Sequence, residues 1–176
     1  MKALFWKWLA RFLARPLVTR WLVERAMRTP YFHLGAYMRR WWLMPRWVLK
    51  PDSRGVLMPK PWVPFAIRVH HILREDRDPY LHDHPWNWRT IILDGWYDEE
   101  DVFGVKTIYI DGSTRSALAE TLHRIDQVPN RGVWTLFITY RKRNRWGFMV
   151  GSPARKVYHR EYRSENNRTA PAEDAA

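Results

Sequence analysis

The residues best placed to do chemistry are histidines. His82-Asp83-His84 is a His-x-His pair, and His123 follows about forty residues later. In an extended chain, residues two apart point to the same side. Both imidazoles of the pair can then face one cavity and share an ion, with His123 reaching it from another strand. Three imidazoles suit Zn, Fe(II), Mn, Ni or Cu. Three protein ligands also leave coordination positions open, which a catalytic metal requires. Without a metal, His82 and His84 would hydrogen-bond loop carbonyls and His123 would lie on the surface. Asp83, between two inward residues, is expected to face the other way and cap the turn at His84-Pro85-Trp86. His70 and His71 are adjacent, so one of them faces inward, to support a ligand or replace one. The chain contains no cysteine, which excludes disulfides, thiolate metal sites and cysteine nucleophiles and is compatible with a reducing cytoplasm.

The segments around these histidines read as short strands. Residues 65–73 alternate apolar positions with period two. Strands follow at 88–93, from 96, at 105–110, 120–128 and 133–140, with Trp134, Leu136, Ile138 and Tyr140 on one face of the last. Asp94-Gly95 ends one strand, Asp111-Gly112 is a hairpin signal, and 146–150 is expected to pair back on 133–140 across the basic turn RKRNR. Such spacing predicts a sandwich or barrel over residues 61–163. The tail, 164–176, is small and polar and reads as disordered.

Residues 1–60 differ in composition. Here 13 Lys or Arg stand against Glu24 and Asp52 alone, whereas 17 stand against 16 acids in the remainder, out of a net charge of +12. Helices are expected at 2–15, 17–27 and 33–43, then a proline-rich connection over 45–64. Lys7, Arg11, Arg15 and Arg20 interrupt the apolar run of the first helices, so it is neither a membrane span nor a clean signal peptide. These helices pack on the barrel or on a second copy, or they lie on an anionic membrane surface or nucleic acid.

The segment YLHDHPWNWRTIILDGWYDEE (80–100) resembles the first motif of the cupin superfamily, with His82 and His84 as the pair and Gly95 as its glycine. TLHRIDQVPNRGVWTLFITYRKRNRWGF (121–148) resembles the second half, with His123 in the place of the last histidine ligand. The pattern HDHPW, LHRI, WTLFIT and RWGF is similar to small cupin-like hypothetical proteins of bacterial and phage genomes. The resemblance spans about residues 65–150. It implies a mainly β, cupin-type jelly-roll barrel with a helical N-terminal extension, a metal held by His82, His84 and His123, and often a homodimer. The motif's acidic ligand is missing, since Trp88 and Arg89 occupy its positions. What remains is similar to the three-histidine site of the superfamily's thiol dioxygenases, which implies Fe(II), with Zn, Mn or Ni as alternatives. In those enzymes an arginine holds the substrate carboxylate. Arg89 or Arg68 would take that part here, and Tyr97 or Tyr140 would supply a hydroxyl. A 2-oxoglutarate oxygenase would need His-x-Asp at this motif.

The functional expectation is an oxygenase-like metalloenzyme acting on a small anionic substrate, cytoplasmic and peripheral to the membrane if the helices bind lipid. Two readings compete with it: a non-catalytic metal- or ligand-binding module tethered by its basic helices, and a metal-free sugar isomerase or epimerase using histidine acid–base chemistry.

Overall fold

The computed structural model describes residues 2–166, with side chains described through residue 162. The chain opens with two helices, α1 (Lys2–Leu13) and α2 (Pro16–Met27). Pro16 starts α2 because its fixed φ suits the first helical position, where no amide donor is needed. Twelve strands follow: β1 (Met38–Trp42), β2 (Leu49–Pro51), β3 (Leu57–Pro59), β4 (Ala66–Ile72), β5 (Trp86–Asp94), β6 (Trp96–Asp101), β7 (Lys106–Ile110), β8 (Thr114–Ala117), β9 (His123–Gln127), β10 (Val133–Lys142), β11 (Gly147–Val150) and β12 (Arg155–Tyr158). A last helix, α3 (His159–Asn166), takes in the first residues of the expected tail, and 167–176 lie outside the described residues.

The strands form a mainly β, antiparallel jelly roll with the helices added at its N-terminal side. One sheet has the order β1-β4-β10-β5-β8. The facing layer contains β7-β6-β9 and β11-β12, and His82 bridges the two groups by pairing with His123 on one side and Phe148 on the other. The histidine segment thus completes the second sheet.

Both faces of the five-stranded sheet are covered. On its outer face Ile91, Leu93, Leu136 and Val69 pack against Ala10, Leu22 and Ala26 of the helices. Ala10 and Ala26 are fully buried, and their small side chains let the helices approach the sheet closely. Thr19 Oγ1 donates to Leu13 O (2.9 Å) and Leu93 O (3.2 Å), tying the helix pair to β5. On the inner face, cross-strand register places Trp42, Arg68, Phe137, Thr90 and Arg115 in one row.

Three local expectations are corrected. The third helix, 33–43, is not formed: β1 occupies 38–42 and pairs with β4 from Met38↔Ile72 to Trp42↔Arg68. Trp41 and Trp42 bury opposite faces, in separate clusters, which an aromatic strand can do. Asp111-Gly112 does not make a hairpin, because β7 pairs with β6 and β8 with β5, so the turn crosses between sheets. β11 pairs with β12 rather than with β10. A turn signal specifies that the chain reverses; which strand receives it depends on packing.

Candidate metal centre

The segment 81–84 is held extended by backbone bonds from both sides. His82 N donates to His123 O and His123 N to His82 O, both at 3.0 Å, while His84 N donates to Ala119 O at 2.9 Å. Asp83 is 2% exposed and points away from the histidines, as alternation requires. It does not cap the His84-Pro85-Trp86 turn. Instead it accepts from Gly147 N at 2.7 Å and Asn144 Nδ2 at 2.6 Å, and it pairs with Lys156. Gly147 must be glycine for this approach, since a Cβ there would meet Val157 O at 2.2 Å. One acidic side chain therefore joins the His-x-His segment to β11 and β12.

With Asp83 outward, the imidazoles converge. A ligand nitrogen from each of His82, His84 and His123 lies within 4.8 Å of the other two. His84 Nε2 and His123 Nε2 are 2.8 Å apart. Nitrogens bound to one ion at about 2.1 Å stand roughly 3.0–3.4 Å apart for right-angled to tetrahedral arrangements. The group thus can hold one divalent ion with small side-chain adjustment. Burial, followed by the neighbouring histidines, pushes His84 and His123 well below the ordinary histidine range. Both are neutral at pH 7, as ligation requires.

Carboxylates stand behind two of the rings. His123 Nδ1 faces Glu99 Oε1 at 3.2 Å, and the same oxygen pairs with Arg115. This orients Nε2 towards the centre, and Glu99 is only 4% exposed. His82 Nδ1 lies 3.9 Å from Asp76 Oδ2. Asp76 is itself fixed by the Tyr37 hydroxyl (2.6 Å) and the Ile125 amide (2.8 Å). Such carboxylate–imidazole pairs set ring orientation and raise ligand basicity. Glu99→Gln is expected to weaken metal binding by about ten- to hundredfold, read by competition with a chromophoric chelator. An unchanged affinity would remove Glu99 from this role.

Motif spacing in the sequence points to neither carboxylate. Asp76 lies in the charged segment REDRDP (74–79), and Glu99 in the acidic run DEED (98–101). The available signal was period two: Glu99 shares a face with Tyr97, which points inward.

The other expected site residues separate. Arg89 is on the outer face of β5, where its guanidinium sits 4.2 Å over Trp6 and donates to Thr114 Oγ1 at 3.0 Å. Tyr140, on the outward-facing side of β10 with Trp134, Leu136 and Ile138, is exposed. Both are directed away from the histidines because the helices, not the barrel interior, cover that face. Tyr97 is inside and buried, packed on Tyr109, and burial pushes its hydroxyl well above the ordinary tyrosine range. It stays a neutral side chain of the core.

Arg68 is in the interior. It is 4% exposed, and its guanidinium is enclosed by Tyr31, Trp42, Trp86 and Phe137 at 5.2–5.7 Å. Among the described residues no carboxylate pairs with it, and its Nε has no hydrogen-bond partner. Burial lowers it to about 10, so it remains charged at pH 7. His70 faces inward two residues along, stacked 5.0 Å from Phe137, with Nε2 also unpartnered. Its adjacent His71 stacks outward on Trp134 at 4.1 Å. Phe137 also touches His84 (6.2 Å) and Trp88 (5.5 Å), so one ring joins the arginine to the histidine group.

No family model matches the chain, and no curated protein matches it. Among solved structures it is similar to KdgF from Halomonas sp. at 12% identity, over 66% of this chain and 92% of that one, with a TM-score of 0.46. It is similar to a Cupin 2 conserved barrel domain protein from Salinispora arenicola CNS-205 at 13% identity, over 62% and 80%, with a TM-score of 0.42. A Cupin_2 domain of an XRE family transcriptional regulator from Enterobacter cloacae is similar at 12% identity, over 61% and 99%, with a TM-score of 0.41. The likeness is one of fold.

Proposed function

We propose that this protein is a metal-dependent enzyme, oxygenase-like, that acts on a small anionic substrate inside the barrel. The observation that carries the reading is the pairing of a three-histidine group with a buried arginine that has no carboxylate of its own. Burying an uncompensated guanidinium is costly. A substrate carboxylate or phosphate offsets that cost through a charge-assisted, bidentate contact. The three imidazoles add no negative charge, and Glu99 is engaged by Arg115, so the interior favours an anion.

His82, His84 and His123 would hold the metal; three imidazoles accept several first-row ions, and Fe(II) is the first candidate because the set resembles the three-histidine site of thiol dioxygenases. When bound, Fe(II) would supply Lewis-acid charge and one-electron chemistry towards O₂. Arg68 takes the anionic group and fixes the substrate's distance from the histidines through Phe137. His70, neutral because burial holds it well below the ordinary histidine range, has a free ring nitrogen for a substrate polar group. Trp88, Phe137 and Thr139 line the same inner face and exclude water from it.

The test is oxygen uptake by protein reloaded anaerobically with Fe(II), offered small carboxylates and phosphates in turn. Substrate-dependent uptake is expected, abolished by chelation. Arg68→Met should keep the metal and raise KM by about ten- to hundredfold, the value of a charge-assisted hydrogen bond. Turnover that survives chelation, or an unchanged KM in Arg68→Met, would overturn the reading.

A further inference from the structure

The N-terminal helix α1 is apolar on two sides, and the barrel uses only one of them. Trp6, Ala10 and Leu13 pack on the sheet. Leu4, Phe5, Trp8 and Phe12 point outward, with Leu4 71% and Trp8 63% exposed. In α2, Leu22 and Ala26 are buried, while Leu17 and Trp21 are 83% and 62% exposed. Trp8 and Phe12 stack on each other at 5.7 Å, and Arg15 lies 5.5 Å over the Phe12 ring. An outward row of Trp, Phe and Leu on a helix pair is costly to leave in water.

The charges around this row are positive but for one. Lys2, Lys7, Arg11, Arg15, Arg20 and Arg28 are exposed on the same two helices and their exit. Glu24 is the single acid of the pair, and it is bound to Arg20 at 2.8 Å. No helix among the described residues is long and apolar enough to cross a membrane.

We infer that the α1–α2 pair docks this protein on an anionic lipid surface, lying in the interface plane with Leu4, Trp8, Phe12, Leu17 and Trp21 among the acyl chains and the basic side chains at the headgroups. Charge complementarity selects this partner: a row of aromatic and aliphatic residues edged by Lys and Arg is the pattern of an interfacial helix. Single-stranded nucleic acid is recognised by a basic groove with stacking rings. Here the surface is the convex outside of a helix pair, and Leu4 and Leu17 offer no stacking face.

The experiment is co-sedimentation of the full chain with vesicles of phosphatidylcholine alone and of phosphatidylcholine containing about 30% phosphatidylglycerol. Selective binding to the anionic vesicles, weakened by salt, is expected. Lys7→Gln/Arg11→Gln should reduce partitioning about thirtyfold, at about 1 kcal/mol per basic residue near the surface. Trp8→Ser/Phe12→Ser should abolish it, with the parent's thermal unfolding retained because both side chains are outside the core. Protein that stays in the supernatant, or binding unchanged by either variant, would overturn the inference. RNA or DNA binding, or a dimer, lost in these variants without any vesicle binding would assign the face to that partner instead.

Discussion

His123→Ala, and separately His82→Ala/His84→Ala, should take bound divalent metal from about one equivalent per chain to none. Elemental mass spectrometry of protein purified without an affinity tag reads this directly. The size of the effect follows from the ligand count. Of three imidazole ligands, the single variant leaves two and the double variant one, and the nearby carboxylates among the described residues are engaged, Glu99 by Arg115 and Asp76 by Tyr37 and the Ile125 amide. The barrel should survive these changes, since the backbone bonds between His82 and His123 do not depend on the side chains. Parent protein that takes up no Fe(II), Mn(II), Ni(II) or Zn(II) would sink the metal centre. Retention of the ion in His123→Ala would remove that residue from it.

Asp83→Ala should produce the largest loss of stability, about 3 kcal/mol, the low end for removing one partner of a buried pair. The low end applies because Lys156 keeps 30% exposure and can turn to water. The Gly147 amide has no such escape and loses its acceptor inside the barrel. Denaturant unfolding checks the value. Asp83→Asn retains an acceptor for Gly147 and should fall between parent and Asp83→Ala. Because Asp83 anchors the extended segment that carries His82 and His84, metal affinity should fall as well. An Asp83→Ala midpoint equal to the parent's would show that β11 and β12 are held in place by other contacts.

The histidine pair was legible because its information is local. Spacing of two residues in an extended segment puts both rings on one side wherever the segment is placed, and it puts Asp83 on the other. The outer face of β10 was legible for the same reason: Trp134, Leu136, Ile138 and Tyr140 do share a side. The choice between Arg68 and Arg89 was not. Strand β5 carries large apolar residues on both faces, Trp88 and Ile92 inward and Ile91 and Leu93 outward, because helices cover its back. With both faces apolar, alternation says which residues go together but not which set faces the cavity. Within 33–43, residues 38–42 form a strand against their composition. Met, Leu and Arg favour a helix, but the free edge of β4 offered five residues of pairing that an isolated helix would forgo.

By itself the sequence determined the mainly β barrel, the helical start, the basic N-terminal surface and the identity of three inward histidines. Each of these follows from patterns over a few neighbouring residues. Only the tertiary structure decided which strands meet across a turn, which arginine enters the interior, and that Glu99 and Asp76 stand behind the imidazoles. Those relations join residues far apart in the chain, and they depend on which face of each strand the helices cover, a competition between burial surfaces that local spacing does not encode.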